Sequence, residues 1–178
     1  MRLGIVFKYE NKTGGGHFWR CFNFASLIKQ KGRIIYFLSH NLPNKYLNLL
    51  KKNNYSFIKL KKKNLRNLEN EILSKLKRKK INNVLTDCYD FNQKFKLRLK
   101  KQSKYLLVID DHTDKKHSAD VYINNNYLDT SCKKKIKKLN PKSILFIGNN
   151  NLIINKKFIN KKTKFKKNNK IKNIFIFF

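Results

Sequence analysis

Cysteine, acidic residues and long apolar runs are all scarce in this sequence of 178 residues. The three cysteines, Cys21, Cys88 and Cys132, stand at irregular spacings, which argues against both a disulfide framework and a zinc site. No apolar run reaches the roughly 20 residues that a membrane-spanning helix needs, and the start at residues 1–4 turns polar too soon for a signal peptide. These absences predict a cytoplasmic protein without a membrane span.

The scarcity of acidic residues leaves a large positive charge. Ten Asp and Glu residues stand against 43 Lys and Arg, and the formal net charge is +33. An excess of this size is typical of proteins that bind nucleic acid or anionic membranes. Here, however, the cations are nearly all Lys and run together with Asn and Ile, the residues that A/T-rich codons favour, and no nucleic-acid-binding module is recognisable. A mutational bias therefore explains the charge better, and a non-catalytic basic nucleic-acid-binding protein is kept as an alternative.

Apolar segments of strand length alternate with segments of helical period through residues 1–154. The predicted strands are Leu3–Phe7, Arg33–Leu38, Tyr55–Leu60, Val84–Thr86, Tyr105–Ile109, Val121–Asn124 and Ile144–Ile147. The predicted helices are Phe18–Lys31, Lys45–Lys52, Leu65–Lys79, Phe91–Lys101 and Ser131–Leu139. This alternation predicts an α/β fold, a doubly wound, mostly parallel sheet with helices on both faces. Because such sheets bind ligands at the carboxyl ends of their strands, residues 9–17, 39–43, 87–90 and 110–117 are the candidate loops.

A change of composition follows the alternating region, which we take as one domain, residues 1–154. Residues 155–173 are mostly Lys and Asn, and this predicts a linker. Residues 174–178 read Ile-Phe-Ile-Phe-Phe, an apolar strand that has no sheet of its own in the sequence. We expect this segment to be the first strand of a truncated C-terminal nucleotide-binding domain.

Glycines cluster between the first strand and the first helix, at Gly14, Gly15 and Gly16, and His17 follows them. Glycine lets a backbone approach a ligand closely and adopt a positive φ. The following helix N-terminus offers unpaired N–H groups, which suit a phosphate or a carboxylate. The loop is consistent with a ligand-binding turn that presents His17 to a cleft, and equally with a tight turn in which His17 caps the helix.

A second polar group follows the predicted strand Val84–Thr86. Asp87 is placed either to accept hydrogen bonds from a sugar hydroxyl or to orient a catalytic base, and Tyr89 either to donate a hydrogen bond or to stack on a sugar face. The alternative is an aspartate that only caps the next helix. We predict that Asp90 is this cap, which leaves Asp87 for the site.

The densest polar cluster occupies residues 110–120. Four of the ten acidic residues and two of the four histidines lie there, against the composition of the rest of the chain. A substrate-binding loop, a metal site and a structural turn rich in helix caps are all possible interpretations. Because no regular metal-ligand spacing is present, a substrate-binding loop that includes Asp111 and His117 is favoured.

Taken in order, these motifs resemble the UDP-sugar hydrolases of pseudaminic acid biosynthesis, which have the GT-B glycosyltransferase architecture. Residues 14–17 look like the family's G-x-G-H loop. Asp87 and Tyr89 match its D-H-Y motif, with Cys88 in place of the usual His. Residues 109–120 are similar to its I-D-D-x-x-D-R-x-H-x-A-D stretch, and this is the most specific of the matches.

A fourth segment extends the resemblance towards the end of the chain. Gly148 and Phe158 keep the spacing of a family segment in which Asn151 here replaces Tyr and Asn155 replaces Arg. The first motif, by contrast, is shared with other GT-B enzymes, including the lipid II-forming transferases. The resemblance therefore covers nearly the whole sequence and implies a Rossmann-like N-terminal domain of a GT-B enzyme.

The resemblance also implies an activity, hydrolysis of a UDP-linked 2,4-diacetamido-2,4,6-trideoxy sugar at C1 with release of UDP. Histidine exchanges protons near neutral pH, so His17 is expected to be the base that activates water. Asp87, Tyr89, Asp111 and His117 are expected to orient sugar or water, and Gly14–Gly16 to line the substrate site. Neither a metal nor a cofactor is implied.

In this architecture the UDP is held mainly by the C-terminal domain. We therefore expect this chain alone to be inactive or weakly active unless a separate chain supplies that domain. A GT-B glycosyltransferase that uses a UDP-sugar donor is the main alternative, and it differs in that an acceptor hydroxyl replaces water.

Overall fold

The computed structural model of the protein describes residues 1–9 and 15–159. Its strands are β1 (Arg2–Phe7), β2 (Ile34–Ser39), β3 (Ser56–Lys59), β4 (Asn83–Asp87), β5 (Tyr105–Ile109), β6 (Val121–Asn124) and β7 (Ile144–Ile147). Its helices are α1 (Gly16–Ile28), α2 (Asn44–Lys52), α3 (Leu65–Arg78), α4 (Gln93–Gln102), α5 (Thr130–Leu139) and α6 (Lys156–Ile159), with a 3-10 turn at Asn149–Asn151. Gly14, residues 160–173 of the predicted linker and the predicted strand at 174–178 lie outside the described residues.

The seven strands form one sheet in the order β3-β2-β1-β4-β5-β6-β7, and every neighbouring pair is parallel. The predicted α/β fold with a doubly wound parallel sheet is therefore confirmed. Strand β1 pairs with β2 on one side and with β4 on the other, so the direction of strand succession reverses between β1 and β4. Open parallel sheets form a ligand crevice at the carboxyl ends of the strands beside such a reversal.

Both faces of the sheet are apolar, and helices cover both. In β1, Ile5 and Phe7 pack in one core cluster with α1 and α2, whereas Val6 belongs to the cluster beneath α3 and α4. This alternation follows from the period of two in a β-strand. Gly4 allows α3 to lie close to β1, because a Cβ at this position would stand 2.9 Å from Leu76 Cδ2.

The helices form where apolar residues recur at helical spacing. In α3, Leu68, Ile72 and Leu76 are buried at intervals of four residues, which places them on one face. The Asn64 side chain caps this helix by accepting from the Arg66 backbone N–H at 3.0 Å. No helix among the described residues combines the length and the apolarity needed to cross a bilayer.

The start of α4 differs from the prediction. Asn92, not Asp90, caps this helix, and its side chain accepts from the Phe95 backbone N–H at 2.9 Å. Asn92 directly precedes the first helical residue, so its side chain reaches the third amide of the helix, whereas Asp90 lies two residues too early. Asp90 instead pairs with Lys8 at 2.6 Å. The prediction that Asp90 is the cap was wrong, although Asp87 is left for the site as expected.

Candidate functional site

The candidate site lies at the carboxyl edge of the sheet, where α1, β4 and β5 meet. Asp87 is the last residue of β4, Asp111 follows β5 by two residues, and His17 is the second residue of α1. Strands β4 and β5 are parallel neighbours, with Thr86 opposite Val108. Because parallel neighbours end at the same edge, side chains far apart in the sequence come together here.

Asp87 is the buried centre of this site. Its carboxylate is 0% exposed and accepts from His17 Nδ1 at 2.8 Å. It also accepts from Arg20 at two positions, Nε at 2.8 Å and Nη2 at 2.6 Å. The Cys21 thiol lies 3.8 Å from Oδ2, and burial together with the charge of Asp87 raises the pKa of that thiol. A buried carboxylate requires such partners, and here all three lie on one face of α1, because they are spaced at i, i+3 and i+4.

Arg20 joins Asp87 to a second carboxylate. Its Nη1 donates to both oxygens of Asp111, at 3.0 and 2.8 Å, and its Nη2 lies 3.1 Å from the Tyr89 hydroxyl. Burial lowers the pKa of Arg20, but the hydrogen bond and charge of Asp87, with the bonds to Asp111 and Tyr89, outweigh burial and raise it. The guanidinium is therefore a permanent cation that neutralises two acids.

Tyr89 links Arg20 to Asp111 and contacts two histidine rings. Its hydroxyl donates a hydrogen bond to Asp111, and burial together with this bond raises the pKa of Tyr89 to about 12, against the opposing effect of Arg20. Its ring contacts the His17 ring edge-on at 4.9 Å and the His112 ring at 5.1 Å between centroids. The Tyr89 side chain thus stays protonated and buttresses His17 from one side.

His17 is held in one orientation but is not sealed from solvent. Its side chain is 22% exposed, and the bond from Nδ1 to Asp87 fixes the ring. With Asp87 ionised, the proton of a neutral imidazole belongs on Nδ1 and leaves Nε2 as the proton-accepting nitrogen. A histidine oriented by a buried carboxylate is the usual construction of a general base. Asp87 therefore holds the His17 ring in place, a geometry that is consistent with the predicted role of orienting a base.

The glycines lie beside this histidine. Gly15 precedes α1, and the helix has no side-chain cap from His17. A Cβ on Gly15 would collide with the Tyr46 hydroxyl, whereas Gly16 is exposed and has open space around its Cα. A side chain at Gly15 would therefore force the Tyr46 ring to move, whereas one at Gly16 would meet no neighbour.

His117 belongs to a different cluster. Its side chain and that of Asp110 are 0% exposed, and Lys96 is 2% exposed. Lys96 Nζ lies 3.0 Å from His117 Nδ1 and 3.5 Å from Asp110 Oδ2, and the His117 ring stacks on Tyr122 at 4.8 Å. The structure brings Asp87, Tyr89 and Asp111 to His17, but it does not bring His117 there.

The buried cluster has an unusual protonation state. Burial, reinforced by the positive charge of Lys96, lowers the pKa of His117 to about 4. Burial also lowers the pKa of Lys96, partly offset by Asp110. Neutral His117 can therefore accept a hydrogen bond from Lys96.

We expect this histidine to make the protein sensitive to mild acid. The folded pKa of about 4 lies below the ordinary 6.5, so between these values the unfolded chain binds a proton that the folded chain does not. The free energy of unfolding is therefore complete above pH 6.5 and falls as pH drops towards 4, by roughly 1.4 kcal/mol for each unit of lowered pKa. Urea unfolding at several pH values measures this slope. His117→Phe, which keeps the ring stack, should remove the slope between pH 6.5 and 4, and an unchanged slope would assign it elsewhere.

Sequence reasoning missed Arg20 and Lys96, the cations on which both clusters depend. The available signal for Arg20 was its position three residues after His17, which places both side chains on one face of α1. Nothing in the sequence distinguishes Lys96 from the many other lysines. Within residues 1–9 and 15–159, no three His, Cys, Asp or Glu side chains are grouped to hold a metal ion.

Comparison with known proteins bears on the fold. No protein-family model matches the sequence, and no curated protein sequence matches it. Among solved structures, the crystal structure of Acinetobacter baumannii MurG is similar, with a TM-score of 0.50 and 14% identity. The similarity covers 70% of this chain and 41% of the MurG chain, so this chain spans less than half of the protein it matches. The protein has a Rossmann-like α/β fold that is similar to part of the MurG structure.

Proposed function

We propose that this chain is the nucleophile-activating domain of an enzyme that acts on a UDP-sugar, with His17 as the general base. The observation that carries the proposal is the 2.8 Å bond between His17 Nδ1 and the buried Asp87. This bond lies at the carboxyl edge of a sheet that matches a GT-B N-terminal domain. MurG, the similar structure, is a GT-B glycosyltransferase that uses a UDP-sugar.

In the proposed reaction, His17 Nε2 takes a proton from the incoming hydroxyl as its oxygen bonds to the sugar C1. The C1–O bond to UDP breaks, and the electron pair leaves with the phosphate. UDP departs as a stabilised anion, so the reaction needs little help from a general acid. The incoming hydroxyl is a weak nucleophile, and a well-placed base that removes its proton increases the rate roughly 10²–10⁴-fold. Asp87 stabilises the imidazolium that forms.

Arg20 has a supporting role in this proposal. It bonds to Asp87 and Asp111 and so compensates the negative charge of both carboxylates. Without this cation the two carboxylates would repel each other, and Asp87 would lose a partner that holds it beside His17. Tyr89 and Asp111, on the exposed side of Arg20, are the groups we assign to contact with the sugar.

The identity of the incoming hydroxyl distinguishes two candidate functions. The motifs at residues 14–17, 87–89 and 109–120 resemble UDP-sugar hydrolases, which favours water and a 2,4-diacetamido-2,4,6-trideoxy sugar. The similarity to MurG favours transfer to an acceptor hydroxyl instead. For a lipid-linked acceptor, an apolar contact beside the glycine loop is needed. Trp19 is 45% exposed there, whereas Phe18 is buried.

We further propose that a second domain or a separate chain holds the UDP. The match to MurG covers only 41% of the MurG chain, and correct positioning of reactants contributes about 7–11 kcal/mol to catalysis. Slow turnover, below the ordinary range of about 1–10³ s⁻¹, is therefore expected of this chain alone.

Product analysis tests the proposal. The chain is incubated with UDP-2,4-diacetamido-2,4,6-trideoxy-β-L-altrose, with and without an acceptor, and with a UDP-hexose that lacks the acetamido groups as the matched substrate. Release of UDP with free sugar supports the hydrolase, and UDP release only with acceptor supports the transferase. If neither substrate gives UDP above the uncatalysed rate, and RNA instead binds with a steep dependence on salt, the basic binding protein is the better description.

A further inference from the structure

A cavity lies at the same edge of the sheet, and most of its apolar lining belongs to the core cluster beneath α3 and α4 and not to the cluster that contains α1. Its volume is about 470 Å³, which falls within the roughly 300–1,000 Å³ typical of small-molecule sites. Its floor consists of side chains from the core cluster beneath α3 and α4, namely Val6, Leu60, Leu68, Cys88 and Phe91. His17, Arg20 and Asp87 do not line it. The cavity therefore adjoins the candidate catalytic site, since Cys88 and Asp90 flank Tyr89, but its lining does not include these three side chains.

The charges at the rim of this cavity are unequal. Lys8 and Asp90 pair with each other at 2.6 Å, and the His40 Nε2 lies 2.7 Å from the Lys62 carbonyl oxygen. Lys63 also lines the cavity, and it has no carboxylate partner among the described residues. Leu65, another lining residue, is the first residue of α3, which brings the positive end of that helix dipole to the same rim.

We propose that this cavity binds a small organic carboxylate with an apolar body. The buried apolar floor suits a hydrocarbon chain or an aromatic ring, because its burial removes apolar surface from water. The Lys63 ammonium, which has no carboxylate partner among residues 1–9 and 15–159, suits a single negative charge, whereas a phosphate usually needs several donors. This inference does not depend on the proposed UDP-sugar chemistry.

The probe is 4-phenylbutanoate, with 4-phenylbutanamide as a neutral molecule of the same shape and acetate as the charged group alone. We expect saturable binding of the carboxylate by titration calorimetry, weaker binding of the amide and none of acetate. In NMR spectra, nuclear Overhauser contacts should join the probe ring to methyl groups of Val6, Leu60 and Leu68. Contacts only to residues that do not line the cavity, or no saturable binding of the carboxylate, would overturn the proposal.

Variants separate the two parts of the site. Lys63→Gln should weaken carboxylate binding about two- to fivefold, the effect of one exposed ion pair, and leave amide binding unchanged. Leu65→Trp should obstruct the cavity and weaken both probes. Leu97→Trp is its matched control, because Leu65 and Leu97 are 40% and 43% exposed on helices and Leu97 does not line the cavity. An equal effect of the two Trp variants, or amide binding that falls with Lys63→Gln, would count against the site.

Discussion

Replacing His17 with asparagine is expected to reduce kcat for UDP release by about 10²–10⁴-fold, the contribution of one general base. Asparagine can still donate to Asp87 from its side-chain amide, but it has no nitrogen that accepts a proton at neutral pH. KM should change little, because His17 acts on the incoming hydroxyl and not on the bound sugar. The measurement is the steady-state rate of UDP release over a range of substrate concentrations, which gives kcat and KM.

The control for this variant is its stability and its response to added imidazole. The His17 side chain is partly exposed, so the urea midpoint should remain close to that of the parent. Free imidazole should restore part of the lost rate if the missing group is a base. If His17→Asn releases UDP as fast as the parent protein, His17 is not the general base. If the rate falls, imidazole does not restore it and the urea midpoint is lowered, the role of His17 is structural.

Replacing Arg20 with methionine is expected to destabilise the fold by about 3–5 kcal/mol, the cost of breaking a buried ion pair by removing one partner. Methionine preserves most of the side-chain volume but leaves Asp87, which is 0% exposed, without the cation that neutralises it. Asp111 and the Tyr89 hydroxyl lose the same partner. Urea denaturation at neutral pH measures the loss.

Arg98 provides a matched control on another helix. Its side chain is 45% exposed and lies 3.5 Å from Glu69, whose side chain is 11% exposed, so Arg98→Met should cost about 1–2 kcal/mol, less than Arg20→Met, because only one long contact is lost. In Arg20→Met, the additional change Asp111→Asn should cost less than it does in the parent, because the two residues interact directly. Equal losses for the two Arg variants, or additive effects of Arg20→Met and Asp111→Asn, would contradict a central role for Arg20.

The strands and helices were predictable because each has a local pattern of apolar residues in the sequence. Strands such as Tyr105–Ile109 and helices such as Leu65–Arg78 carry uninterrupted apolar runs or apolar residues at helical spacing. Their ends were less predictable, since a cap depends on one side chain reaching one amide. Asp90 and Asn92 lie only two positions apart, yet of these two side chains only that of Asn92 accepts from the backbone N–H of the third helical residue, Phe95.

Part of the site was predictable for a topological reason. Parallel strands that alternate with helices must end at one edge, so the polar residues that follow β4 and β5 were expected to meet near the glycine loop. The structure places Asp87, Tyr89 and Asp111 with His17 in this way. His117, six residues after Asp111, lies within the core with Lys96 instead.

The sequence by itself determined the order of strands and helices, the parallel sheet and the edge of the sheet at which the polar loops lie. The physical reason is that a chain of alternating strands and helices can bury its apolar residues in few arrangements other than a parallel sheet covered by helices. The tertiary structure alone decided which charges pair. In a chain with 43 basic residues, composition does not distinguish Arg20 and Lys96 from solvent-exposed cations. Only burial does, because a carboxylate removed from water must have a cation or several donors at hydrogen-bonding distance.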